Sequence, residues 1–246
     1  MPLGSLSYEE TLDTLTEFLE VAIYTILRHG HMYPENLFER RCKYGIPIYV
    51  SRHPDLTGYV RDFLLAMRPS LQQGLVERIS LDIRTNRLVD RFTFGIHSLL
   101  PLSALANNSS LEHESLQGGP SALELEVRYR ACLAALYRSF RVGMDGSLNS
   151  QEEMSDRTWS LVMHLRQAML PLTDGSDLLP WIPDEGVEDQ GDDEMSSRSA
   201  MSKGKGKEVS EGAGYMNPMA TSLSPLHALH IGWIKCEVTR ERPHHG

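Results

Sequence analysis

His29 and His31 are the first residues in this sequence placed to do chemistry, because two imidazoles one residue apart on an extended chain can face the same metal ion. A metal site needs more donors, and no further His, Cys or Asp stands at a spacing that completes one. The pair is therefore read as charge at a helix C-terminus, where the backbone dipole favours cations. Asp145-Gly-Ser147-Leu-Asn149-Ser150 has the oxygen-rich rhythm of a calcium loop. Its sixth position is Ser150 instead of Gly, and its twelfth is Asp156 instead of a bidentate Glu, so that reading is rejected. Lys203-Gly-Lys205-Gly-Lys207 is basic and Gly-rich, but it lacks the Gly-Lys-Ser/Thr ending of a phosphate-cradling loop and reads as a solvated linker. No Gly-x-Ser-x-Gly elbow occurs. No catalytic residue, metal ligand or cofactor is assigned, and the chain is expected not to be an enzyme.

Two aromatic residues stand where a binding surface would need them. Tyr59 lies one position off an apolar helical stripe, which places its ring at the rim with its hydroxyl wet. Trp181 follows Leu178-Leu179-Pro180 and directly precedes a strongly acidic run. Spacing alone favours Trp181 as an anchor for the end of the ordered chain, although aromatics are also the usual anchors of interfaces.

The elements that position these residues follow from periodicity. Leu12, Leu15, Phe18, Leu19, Ala22, Ile23, Ile26 and Leu27 recur at helical steps, with Glu9, Glu10 and Asp13 at the start and Gly30 and Pro34 at the end. An irregular stretch precedes extended Ile46–Val50. His53-Pro54-Asp55 opens a second helix with the stripe Leu56, Val60, Phe63, Leu64, Met67 and Leu71, closed over Pro69 to Gly74. Ile79, Leu81 and Ile83, then Phe92, Phe94 and Ile96, alternate with polar residues across the turn Thr85–Arg87 and predict a hairpin. Residues 101–121 are Ser-, Asn-, Gly- and Pro-rich and predict a loop. Leu125, Tyr129, Cys132, Leu133, Leu136 and Phe140 mark a third helix, residues 143–155 are turn-like, and Trp159, Leu161, Met163 and Leu165 mark a strand. Residues 184–222 bury too little apolar surface to offset their ordering entropy and read as a disordered insertion. Order resumes near Leu226, with Ile234, Cys236 and Val238 on a last strand. Helices among antiparallel strands predict a single α+β domain over residues 1–246, its three long helices on one face of the sheet.

Composition sets limits on function. The 246 residues are 41% hydrophobic and 23% charged, enough for a sizeable core without disulfides or metals. A net charge of -9 argues against broad attraction to DNA phosphates, so work on nucleic acid would go through a partner. Three widely spaced cysteines imply no disulfide framework and fit a reducing compartment. No signal peptide and no apolar run of ~18 residues is read, which leaves a nuclear or cytosolic protein as the expectation.

The segments Glu17-Phe18-Leu19-Glu20-Val21-Ala22, Tyr33-Pro34, Phe38-Glu39-Arg40-Arg41, Tyr44-Gly45-Ile46-Pro47-Ile48 and Ser51-Arg52-His53-Pro54-Asp55-Leu56 appear in an order similar to that of the HORMA-domain family. With Tyr59, Phe92-Thr93-Phe94, Pro180-Trp181-Ile182 and Asp184-Glu185, they most resemble its branch of accessory subunits of translesion DNA polymerase zeta, the B-type mitotic-arrest-deficient homologues. The likeness is dense over about residues 12–97 and collinear but patchy to about 240. It implies a HORMA fold with a mobile C-terminal safety belt that traps an extended partner peptide on a sheet edge. It also implies a nuclear, non-catalytic adaptor that clamps the polymerase zeta catalytic subunit, with Tyr59 and Trp181 touching the peptide. A spindle-checkpoint or meiotic HORMA adaptor is the alternative. Arg138 matches an arginine of a HORMA–HORMA pairing surface, and a scaffold translesion polymerase is a further implied partner. The chain departs from the pattern in a longer, more acidic belt, in Lys235 and Glu237 where the family has an uncharged pair, and in His31 where it has an acid.

Overall fold

The computed structural model describes residues 5–99, 119–141, 157–166 and 221–243. Helix α1 (Tyr8–His29) begins where Ser7 and Glu10 cap each other. Ser7 Oγ accepts from the Glu10 amide at 3.2 Å and the Glu10 carboxylate accepts from the Ser7 amide at 2.7 Å. It is buried on nearly all sides, with Leu12, Leu15, Phe18, Ile23, Ile26 and Leu27 at most 1% exposed. Side chains of this size stabilise the fold by roughly 2 kcal/mol each when removed from water. Helix α2 (Pro54–Gln72) and helix α3 (Ala122–Arg141) flank it, and Phe18 stacks on Tyr129 of α3 at 4.6 Å between ring centroids.

Strands β1 (Phe38–Lys43) and β2 (Ile46–Ser51) form a separate two-stranded antiparallel sheet. The main sheet contains β3 (Val76–Arg84), β4 (Leu88–Ser98), β5 (Thr158–Leu165), β6 (Thr221–Ile231) and β7 (Ile234–Pro243), in the order β5-β3-β4-β7-β6. Each neighbouring pair is antiparallel. Ile79, Leu81, Phe92, Phe94, Ile96, Cys236 and Val238 point into the shared core with the helices. The α+β architecture of three helices on an antiparallel sheet therefore stands as the sequence predicts.

Several local expectations are corrected. The stretch before Ile46 is not irregular. It holds β1, whose residues Glu39 to Cys42 are all exposed and so carry no apolar alternation. The hairpin turns at Tyr44 and Gly45, both at positive φ. Helix α2 runs through Pro69 to Gln72, because the proline lies in the last turn, where its carbonyl accepts the closing bond from the Gln73 amide at 3.2 Å. Order resumes at Thr221 and not near Leu226. Thr221 and Ser222, assigned above to the disordered insertion, open β6, which forms a hairpin with β7. The loop over residues 101–118, the turn over 143–155, Trp181, the acidic run and the Lys203–Lys207 stretch lie outside the described residues.

The C-terminal hairpin is locked in place at both ends. At its tip, Gly232 has a φ of +67°, and a side chain there would come within 2.6 Å of Pro120. Trp233 packs edge-on against Tyr8, and its carbonyl accepts from the Leu99 amide at 2.7 Å. At its far end, the Arg240 guanidinium lies over the rings of Phe92 and Phe140. It pairs with the buried Asp90 carboxylate and donates to the Ser139 carbonyl at 2.6 Å.

Candidate functional site: the open edge of the sheet

Strand β5 pairs with β3 on one side only, and among the described residues no strand covers its other side. In an antiparallel strand alternate residues turn both backbone groups to the same side, so Trp159, Leu161, Met163 and Leu165 share one direction. The Leu161 amide marks that direction as outward: it donates to the Tyr59 hydroxyl at 3.4 Å, away from β3. This bond is long and engages one amide of the row. The rest of the edge is a template for strand pairing.

Helix α2 delivers Tyr59. Its first turn is fixed by Pro54 and by the His53 ring, which accepts from the Leu56 amide at 3.4 Å. Leu56, Val60, Phe63 and Leu64 then bury the inner stripe, which leaves Tyr59 on the flank at 47% exposure. Trp159 meets the Tyr59 ring edge-to-face at 5.3 Å and 84°. The indole Nε1 donates to the Tyr33 hydroxyl at 3.0 Å. Tyr33, Tyr59 and Trp159 thus form an aromatic wall beside an open row of backbone donors and acceptors. Such a wall suits an apolar or proline-bearing extended peptide, with main-chain bonds supplying affinity and the rings supplying selectivity.

Of the residues singled out from sequence, the structure places Tyr59 at this edge and Arg138 well away from it, on the exposed face of the last turn of α3. Trp159 and Tyr33 were missed as site residues. Trp159 entered only as one member of a strand alternation, and Tyr33 sits in a connection with no period. On the outward face of β7, Lys235 and Glu237 pair at 2.5 Å, and His97 of β4 lies 3.6 Å from the same Glu237. The Lys235 contact holds the Glu237 carboxyl below its usual range. The reading of His29 as helix-terminal charge is overturned. Burial, then the neighbouring Arg28, lowers its pKa to about 4, so the ring is neutral near pH 7. It packs instead against Tyr137 at 4.8 Å and Phe140 at 5.7 Å. Among the described residues no group of three or more His, Cys, Asp or Glu lies close enough to hold a metal ion. No described helix is long and apolar enough to cross a membrane.

Comparison with solved structures matches this architecture over nearly the whole chain. A chain of a mitotic checkpoint complex crystal structure superposes with a TM-score of 0.58 at 13% identity, covering 95% of this chain and 99% of that one. HTP-2 of C. elegans, in a structure bound to a HIM-3 closure motif, gives a TM-score of 0.59 at 10% identity, covering 97% and 92%. The chain has a HORMA fold.

Among curated proteins, the human mitotic spindle assembly checkpoint protein MAD2B is 38% identical over 103 residues, which is 41% of this chain and 48% of that protein. The DNA polymerase zeta processivity subunit of Arabidopsis thaliana is 35% identical over 101 residues, covering 40% and 47%. The counterpart in Schizosaccharomyces pombe is 33% identical over 95 residues, covering 38% and 45%. The match spans about half the length of these relatives. No protein-family model matches the chain. Its homologues are therefore the MAD2B proteins and polymerase zeta processivity subunits, and its fold is that of HORMA proteins.

Proposed function

We propose that this HORMA protein is a non-catalytic adaptor that captures an extended peptide of the DNA polymerase zeta catalytic subunit as an added strand on β5. The observation that carries this reading is the outward row of β5 backbone groups beside Tyr59 and Trp159, where Leu161 meets only a long bond to a tyrosine hydroxyl. Connectivity supports a belt. The chain leaves the sheet at β5, on one edge, and re-enters at β6, on the opposite edge, so residues 167–220 link the two. In this reading that link passes over the peptide, with Trp181 contributing a contact, in a nuclear translesion-synthesis assembly. The outward Lys235–Glu237 face is the proposed contact for a scaffold polymerase, and the α3 surface at Arg138 the contact for a second HORMA protein.

Calorimetry of the purified chain with a catalytic-subunit peptide and with a spindle-checkpoint partner peptide tests the proposal. Tight binding of the polymerase peptide alone is expected, weakened by about 1–2 kcal/mol in Tyr59→Ala, Trp159→Ala and Trp181→Ala, as for interface anchors. Preference for the checkpoint peptide would keep the clamp and overturn the partner. Binding of neither would sink the reading.

A further inference from the structure

Strand edges elsewhere in this molecule are blunted by their own residues. Strand β6, at the other end of the main sheet, carries Pro225 with a register shift beside it. Strand β1 carries Glu39, Arg40, Arg41 and Lys43 within its six residues. Proline, irregular register and charge all keep an exposed strand from pairing with any extended chain it meets. Strand β5 has none of them. Its eight residues, Thr158 to Leu165, include no proline and no acidic or basic residue except His164, whose pKa burial lowers below the ordinary 6.5. An unguarded edge of that composition is open to indiscriminate pairing, including with the same edge of another copy.

Among the described residues, the backbone contact on the outer side of β5 sits at its middle. Leu161 is fourth of the eight, and its outward amide donates to the Tyr59 hydroxyl at 3.4 Å. In an antiparallel ladder such a residue exchanges both backbone bonds with the residue opposite, so a strand denied the Leu161 amide loses a central rung. The hydroxyl is held in place through its ring. Trp159 meets that ring at 5.3 Å, and the indole is itself anchored to the Tyr33 hydroxyl at 3.0 Å. Release strands no buried polar group, because Tyr59 is half exposed and water can take its hydroxyl. The contact is firm in position and readily broken.

We propose that the Tyr59 hydroxyl is a self-cap on the β5 edge, which occupies the Leu161 amide in the free protein and yields it to the backbone carbonyl of an incoming strand. The inference rests on the strand-addition reading and adds regulation to it. Ring and hydroxyl of one residue then act in opposite directions: the ring holds a bound peptide, and the hydroxyl competes with it. A neutral bond of this length lies at the weak end of net hydrogen-bond strengths, about a two- to fivefold preference for the capped edge. Apparent affinity falls by the fraction of molecules whose edge is capped. A partner that also fills the aromatic wall overcomes so small a preference, whereas a chain offering backbone alone gains less from the edge.

Two measurements on the full chain test it. In the free protein, hydrogen exchange at the Leu161 amide should speed up about two- to fivefold in Tyr59→Phe, while exchange at the Met163 amide stays the same. Stopped-flow association with the catalytic-subunit peptide used for calorimetry should be about two- to fivefold faster in Tyr59→Phe, with dissociation unchanged. Tyr33→Phe removes a hydroxyl from the same wall without freeing an amide, and should leave Leu161 exchange as it is. Tyr59→Ala, which removes cap and ring together, should speed Leu161 exchange yet weaken peptide binding. The proposal is overturned if Leu161 exchanges no faster in Tyr59→Phe than in the parent chain. It is equally overturned if Tyr59→Phe weakens peptide binding as Tyr59→Ala does, which would make the hydroxyl a ligand of the peptide. Failure of the peptide to bind even the parent chain would strike the strand-addition reading and the cap with it. Peptide binding that is intact in the parent and no faster in Tyr59→Phe would strike the cap alone.

Discussion

The two ends of the main sheet, β5 at one and the β6–β7 hairpin at the other, are tied to the rest of the molecule in different ways. At the β4 side the C-terminal hairpin is sealed on by a full ladder, a glycine turn with no room for a side chain, and a buried arginine lying over two rings. At the β5 side the outward amide of Leu161 meets one tyrosine hydroxyl at 3.4 Å. Natural sheets usually blunt an open edge with charge, proline or a covering element. Strand β5 is flanked by Tyr59 and Trp159, whose rings give an added strand something to hold, whereas β6, the other edge, belongs to a hairpin locked onto the core.

The largest expected effect comes from breaking the sealed side. Arg240→Ala removes one member of a buried pair, leaving Asp90, among the described residues, with the partly exposed Arg242 at 3.6 Å. Urea unfolding should show a loss of about 3 kcal/mol, the lower end for such pairs. A loss under about 1 kcal/mol would mean that the hairpin is not held there. Next comes Gly232→Ala, which puts a methyl against Pro120 at a φ of +67° and should cost about 1–2 kcal/mol by the same measurement.

The open side should respond in binding and hardly at all in stability. Tyr59→Ala should shift the unfolding free energy by less than about 1 kcal/mol, since the ring is 47% exposed, while the added-strand peptide binds about tenfold or more weakly. Equal losses in both measurements would erase the distinction between the edges.

The smallest effect is a pH response confined to β5. His164 bonds to Ser80 of β3 at 3.4 Å, and burial, then Arg78 and Arg91, lowers its pKa below the ordinary 6.5. The unfolded state therefore binds the extra proton first, and stability from this group is complete above 6.5 and falls as the pH drops toward the lowered value. Hydrogen exchange, corrected for intrinsic rates, should show β5 amides opening ahead of β7 amides on acidification. His164→Gln should flatten that response, and parallel behaviour of the two strands would count against it.

What could be read in advance tracks how strongly each segment's burial is one-sided. The stripe from Leu12 to Leu27, the Phe92–Ile96 alternation and the Pro54 helix start were legible because each repeats a single periodic demand. Strand β1 was not, because Glu39–Cys42 faces solvent on both sides. Strand β6 was obscured by Pro225 and by the register shift beside it. Of the candidate site, Tyr59 was visible as a residue off the stripe and by resemblance, whereas Trp159 and Tyr33 were not.

Sequence by itself determined the helices, the β3–β4 hairpin, the absence of a recognisable catalytic motif and the HORMA resemblance, since these rest on local pattern. Tertiary structure alone decided that β5 is left at an edge, that Tyr33, Tyr59 and Trp159 meet there, that His29 is neutral, and that Arg130 and Arg138 share one hollow. Each of these depends on residues far apart in the chain. A backbone donor becomes a binding group only when no neighbour claims it, and an imidazole loses its charge only when folding removes its water.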